Sequence, residues 1–483
     1  MKKEVIHLKK SIVNNYLYNL SYQLLILILP LVTTPYISRV LGAHGVGTFS
    51  YTNSITQYFI LFGCVGLNLY GQREIAYVQS DKKKYSKVFF ELLIIRFITI
   101  SISIIIFYFT LCRNNKYALI FMIQIIDVVA SIFDISWLFQ GLEDFKKIVI
   151  RNFIIKILGV ILIFLFIKNN DDLGLYVLMN SMTLIFGNLS MWMYLPQTIS
   201  KINFSNLELK QHIQPSLALF VPQIATSLYT MLDKTMIGYI TQNESEVAFY
   251  EQSQKLIKLV LTLVTSFGTV MMPRIARIYA ENNQEKIKSY MSLTFKMVFV
   301  LAMPLCFGLM AIATNFVPWF FGQGYEKVVP NMIVIAPIII FISMSNVTGT
   351  QFLLPTQRQR EYTLSVIIGS VVNFILNILF IPYFLSVGAA IATFFAELSV
   401  TVVQLVFVRK DFALKEILKY GLRYGFYSCA MAIIVYLIGI KLNANFITTC
   451  VQCVIGVLLY MALLFVCKDN MIQVIKDKIK KQF

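Results

Sequence analysis

Three lysines, Lys234, Lys255 and Lys258, lie inside long apolar stretches of this chain. A cation in such surroundings is costly unless it meets a partner or faces a polar cavity. At 1.5 Å of rise per residue, Lys234 sits roughly 10 Å below the outer end of its helix, with Lys255 and Lys258 at similar depths. Lys255 and Lys258 are three residues apart and share one helix face, with Glu251 one turn above Lys255. Asp233 is the obvious structural partner for Lys234, yet embedded cations still outnumber anions. The chemistry this suits is electrostatic holding of an anionic cargo. Arg39 closes the apolar run from Leu17 to Val40, where it either snorkels to the headgroups or lines a cavity. Arg96, Asp127 and Lys156 each fall near mid-depth of their segments; a structural Asp127–Lys156 pair leaves Arg96 as the spare charge for cargo. Arg73 and Arg274 mark equivalent helix ends, as anion contacts or simply as topological positive charges.

Covalent chemistry has little to work with. The three histidines, His7, His44 and His212, are scattered, and the outer loops are too short to assemble a triad or a metal set. Cys450 and Cys453 form a CxxC without a second pair or a histidine, so helix packing accounts for them, and neither a metal nor a cofactor is expected.

The elements that carry these residues are membrane spans. The chain has 483 residues, of which 58% are hydrophobic and 14% charged, with a mean hydropathy of +0.71. That composition excludes an ordinary soluble enzyme and predicts an all-α polytopic membrane protein. About fourteen apolar segments reach spanning length, centred near Leu27, Tyr58, Ile100, Val128, Val160, Leu184, Ile224, Leu261, Leu305, Ile339, Asn373, Val400, Ile434 and Gly456. Pro30 and Pro35 predict a bend in the first. The connections on the N-terminal side hold about 30 lysines and arginines against roughly six opposite, which places both termini in the cytoplasm. The net charge of +18 is thereby a matter of topology and anionic membrane lipids, and a nucleic-acid partner is not expected. The basic opening MKKEVIHLKK precedes a run too long for a cleavable signal, so it reads as a cytoplasmic arm. Ile472, Ile475 and Ile479 among lysines predict an amphipathic tail helix on the inner surface.

The chain also repeats itself. SRVLGAHGVGTFSYTNSITQYF followed by GQREIA is echoed by DKTMIGYITQNESEVAFYEQSQKL followed by MPRIARIYA, with offsets from 195 residues for Arg39 and Lys234 to 201 for Arg73 and Arg274. Six helices separate the partners, so the halves are parallel. The expected organisation is an arm over 1–11, a six-helix lobe over 12–195, a cytoplasmic linker over 196–208, a second six-helix lobe over 209–409, two additional helices over 410–467 and the tail over 468–483.

SRVLG and GVGTFSY, then GQREIA, then LDKTMIG, taken in that order, resemble the bacterial Wzx-type flippases for lipid-linked oligosaccharides. These belong to the polysaccharide transport family of the multidrug/oligosaccharidyl-lipid/polysaccharide exporter superfamily. The resemblance implies two lobes around a cation-lined cavity and a cargo of undecaprenyl pyrophosphate joined to a short sugar unit. It implies capsule or O-antigen synthesis at the cytoplasmic membrane alongside polysaccharide polymerase machinery, and a lipid-tail groove at the last two helices. Substrate contacts would be Arg39, Lys234, Lys255, Lys258, Arg96, Arg73 and Arg274, with Asp233, Asp127 and Lys156 in ion pairs. A multidrug or cation antiporter of the same superfamily is the alternative, and it would want embedded carboxylates rather than an excess of lysine and arginine. A membrane oligosaccharide polymerase is a more distant one. Proton or sodium coupling is left open.

Overall fold

The computed structural model describes residues 2–113 and 115–469, with side chains over 28–113, 115–221, 223–224, 231–265 and 271–469. Among the described residues the regular structure is helical throughout. Backbone groups in hydrocarbon have no water to bond, so each span must satisfy them internally. The chain divides into two compact units, Met1–Thr235 and Met236–Phe483.

The first unit contains α1 (Lys2–Cys64), α2 (Leu67–Val78), α3 (Lys82–Phe107), α4 (Ala118–Ile132), α5 (Ser136–Gly141), α6 (Phe145–Phe166), α7 (Leu173–Trp192), α8 (Leu195–Thr198) and most of α9 (Lys210–Thr241). The backbone of the expected N-terminal arm is continuous with α1. α1 contains Pro30 and Pro35, and its backbone leaves helical values at Gly42, with φ 66° and ψ 177°. A side chain would be strained at that φ, whereas an added Cβ would meet only Asn170 Oδ1 at an ordinary 3.9 Å, so the backbone itself favours glycine there. Asp81 caps α3, accepting from the amides of Lys83 and Lys84 at 3.0 and 3.2 Å. The Lys84 amide leads in holding the Asp81 carboxyl below its usual range. The core at the α2 end is built on Trp137, stacked on Phe89 at 5.6 Å between ring centres. A Cβ on Gly71 would come within 2.6 Å of the Trp137 ring, so α2 approaches α5 closely only because that position has no side chain.

The second unit contains α10 (Glu244–Ala280), α11 (Gln284–Phe321), α12 (Val328–Ile335), α13 (Ile338–Ser345) leading into a π-helical stretch Asn346–Leu353, α14 (Gln359–Phe407), α15 (Leu414–Lys441) and α16 (Phe446–Val466). α14 breaks at Leu385, with φ 56° and ψ −129°. The last two helices are fastened to α11 by side-chain bonds: Asn315 Nδ2 donates to the Gly439 carbonyl at 3.0 Å, Trp319 Nε1 to Thr449 Oγ1 at 2.7 Å, and the Tyr460 hydroxyl to the Val300 carbonyl at 3.0 Å. Such bonds matter in lipid, where apolar burial gives little drive for one helix to join another. Asp469, just past α16, is buried and accepts from Tyr424 at 3.0 Å, with Arg423 at 3.4 Å and Lys296 at 3.5 Å.

Nine helical segments among the described residues are long and apolar enough to cross a membrane. One of them, α14, is broken into two pieces at Leu385, and α1, α9 and α10 are of spanning length too. The protein is an all-α polytopic membrane protein. The tail helix expected beyond Asp469 lies outside the described residues.

Candidate anion-holding residues

The embedded charges sort by burial and by partner. In the first unit Arg96 is 1% exposed. Its Nε donates to the Ser131 carbonyl at 2.6 Å, one terminal nitrogen to Asn68 Oδ1 at 2.8 Å, and the other reaches Cys64 Sγ at 3.5 Å and the Asp134 carboxylate at 4.0 Å. The spare-charge role expected for Arg96 is not what these surroundings provide: the guanidinium ties α3 to α1, to α2 and to the end of α4. The expected Asp127–Lys156 pair is also not formed. Asp127 is buried on α4 beside the Ser181 hydroxyl of α7, Lys156 is exposed on α6, and no ion pair among the described residues joins them. α4 packs directly on α7, which brings Ser181 rather than α6 to the Asp127 face.

Arg39 is exposed on α1, less than one turn before the Gly42 break, with Ser38 beside it turned inward. Asp233 is buried and Lys234 half-buried on α9, both engaged with other groups. They are steadied by Thr235, whose Oγ1 lies 3.0 Å from Ser54 Oγ and 3.4 Å from the Tyr58 hydroxyl on the second half of α1. Arg73, half-exposed on α2, bonds Glu74 at 3.0 Å and lies over the rings of Tyr70 and Tyr77 at 5.3 and 5.9 Å.

In the second unit Lys255 is half-buried and Lys258 exposed on α10, and Lys258 Nζ donates to Gln254 Oε1 at 2.9 Å. Arg274 is exposed near the end of the same helix, donating to the Tyr290 hydroxyl and lying 4.2 Å over its ring. Lys255 and Lys258 therefore share a helix, as their spacing predicts, while Lys234 belongs to the other unit.

A buried cluster went unread in the sequence. His212, at the start of α9, places Nε2 2.9 Å from Glu91 Oε2 and Nδ1 2.8 Å from the Tyr70 hydroxyl, and the Glu208 amide donates to Glu91 Oε1 at 2.7 Å. These bonds, with Ser216 donating to the Val65 carbonyl, suture the first half of α9 to α2, α3 and the link between α1 and α2. A lone histidine carried no spacing signal, because its partners lie more than a hundred residues away. No set of three or more metal-ligating side chains occurs among the described residues.

Comparison with known proteins agrees with this fold. The profile of the family described as polysaccharide biosynthesis protein matches residues 12–279, and that of lipid II flippase MurJ matches residues 152–461. A protein of Escherichia coli (strain K12) named as an O-antigen transporter is 25% identical over 410 residues, covering 83% of this chain and 98% of the relative. One from Shigella dysenteriae with the same name is 23% identical, covering 78% and 94%. Among solved structures, a lipid II flippase MurJ in an inward closed conformation superposes with a TM-score of 0.72 at 16% identity, covering 95% of this chain and all of that one. An inward-facing multidrug resistance transporter of the MATE family gives 0.64 at 13% identity, covering 82% and 97%. At those identities the structures speak for the fold, and the profiles, each matching more than half of the chain, speak for descent. The chain belongs to the polysaccharide biosynthesis protein family, the Wzx-type polysaccharide flippases of the multidrug/oligosaccharidyl-lipid/polysaccharide exporter superfamily.

Proposed function

We propose that this protein moves undecaprenyl-pyrophosphate-linked oligosaccharide repeat units from the cytoplasmic to the outer leaflet of the bacterial cytoplasmic membrane, with both termini cytoplasmic, for surface polysaccharide synthesis. The observation that carries the reading is the sorting of embedded cations. Arg96 is buried and Lys296 is 11% exposed against Asp469, whereas Arg39 and Lys258 are exposed and Lys234 and Lys255 half-buried. Accessible cations at membrane depth suit a pyrophosphate, which they hold by charge. The relatives named for O-antigen transport support the same cargo class. Export of an anion runs with an inside-negative potential, worth roughly 2.3 kcal/mol per charge per 100 mV. The two lobes would alternate their opening around the headgroup while the polyprenyl tail stays in lipid.

Complementation of a flippase deletion tests this, with surface polysaccharide measured beside protein abundance. Lys234→Arg is expected to retain much transport, Lys234→Ala to lose most of it and Lys234→Glu to abolish it at normal abundance. Full transport by Lys234→Glu would remove the charge-based reading. Restoration by the double swap of Asp233→Lys with Lys234→Asp would make the pair structural instead.

A further inference from the structure

The part of α1 beyond Gly42 is polar for a membrane span. Thr48, Thr52 and Thr56 follow one another at four-residue intervals, and each Oγ1 bonds the carbonyl one turn back at 2.9 to 3.0 Å. Those hydroxyls are buried and bonded within the helix. A second row, Phe49, Asn53 and Gln57, has the same spacing but is only half-buried. Gln57 Nε2 reaches Asn53 Oδ1 at 3.5 Å. That bond leaves the Asn53 amino group and Gln57 Oε1 without a hydrogen-bond partner among the described residues.

α7 runs beside this row in the same direction. Asn170, just before α7, lies next to Gly42, and the rings of Phe49 and Tyr176 meet at 5.1 Å between centres. One further turn along each helix brings Asn53 and Asn180 to a common depth, about 15 Å in from the Gly42 end. Asn180 is half-buried; its Nδ2 donates to the Tyr176 carbonyl at 2.7 Å, and its Oδ1 has no hydrogen-bond partner among the described residues. Unmet amides are costly against hydrocarbon, so three of them on adjoining helices mark a surface that meets a polar molecule.

We propose that Asn53, Gln57 and Asn180 are specificity-determining residues that recognise the sugar hydroxyls of the cargo, an inference that deepens the flippase reading above and rests on it. The open groups are one amino group and two carbonyl oxygens, and none is charged. A sugar hydroxyl both gives and takes a hydrogen bond, so it satisfies either kind. An ionised pyrophosphate only accepts, and it would meet Gln57 Oε1 and Asn180 Oδ1 oxygen to oxygen.

Two ligands test this on the purified full-length chain in nanodiscs: the undecaprenyl-pyrophosphate-linked repeat unit extracted from the host strain, and undecaprenyl pyrophosphate without sugar. Asn53→Leu, Gln57→Met and Asn180→Leu are each expected to weaken binding of the repeat-unit lipid about fivefold and to leave the bare lipid bound as before. The thermal midpoint of Asn53→Leu and Gln57→Met should hold or rise, because each removes an unmet amide from the span, whereas an amide with a structural role would lower it. Unchanged binding of both lipids, or an equal loss for both, refutes sugar recognition and leaves the flippase reading standing. Sugar recognition also falls if the unaltered chain binds the repeat-unit lipid no better than the bare one. If the unaltered chain binds neither, the flippase reading falls with it. Should leucine at 53 or 180 prevent folding, Gln57→Met decides alone.

Discussion

Replacing Arg96 with methionine separates a structural cation from a cargo-binding one. Two bonds from the charged guanidinium, to Ser131 at 2.6 Å and Asn68 at 2.8 Å, would be lost, each worth about 1.5–3 kcal/mol. The Asp134 carboxylate adds little, being 4.0 Å away and 27% exposed. Against these losses, methionine is spared the desolvation of a guanidinium held at 1% exposure, which is worth several kcal/mol. The bonding groups it leaves behind on Ser131 and Asn68 cost about 1–3 kcal/mol when buried without a partner. The net is a destabilisation of about 2–4 kcal/mol, read as a lowered thermal midpoint of the purified protein and reduced abundance in the membrane. Arg96→Lys should fare little better, since one ammonium lacks the fork that meets both acceptors. A cargo cation would behave otherwise, with Lys retaining transport. The reasoning fails if Arg96→Met is as stable and abundant as the unaltered chain yet transports nothing.

Removing the Glu246 carboxylate as Glu246→Ala leaves the buried Ser386 amide without its acceptor, so a loss of about 1–3 kcal/mol in thermal or denaturant unfolding is expected; an unchanged midpoint would show that the clamp beside the α14 break is idle. At the break itself Leu385→Gly relieves a φ of 56° and should raise stability by up to about 1 kcal/mol, the opposite sign to a usual leucine deletion. A double-mutant cycle on Asp127→Asn and Lys156→Ala should give a coupling below about 0.5 kcal/mol, because the two are not paired; coupling above about 1 kcal/mol would restore the ion pair.

The spans were legible because length and apolarity alone decide them, and all fourteen expected centres fall within helices. The break points were less so. Gly42 and Leu385 leave helical values within continuous helical runs, without any loop, so nothing in the sequence marks them as break points. Partner choice among charges was illegible for a different reason. Asp134 follows Asp127 by seven residues, just past the end of α4, and spacing cannot say which carboxylate lies level with Arg96. Only the packing of the end of α4 against α3 does so.

The same limit bears on the candidate site. Counting embedded cations treats Arg96, Lys234, Lys258 and Lys296 alike, yet Arg96 is 1% exposed and Lys296 is held against the Asp469 carboxylate, so neither is placed to meet a moving anion. Lys258 differs from them in exposure: it lies at the surface of α10, where Gln254 Oε1 accepts from its ammonium at 2.9 Å, and an accessible cation at membrane depth can meet an anion that a buried one cannot.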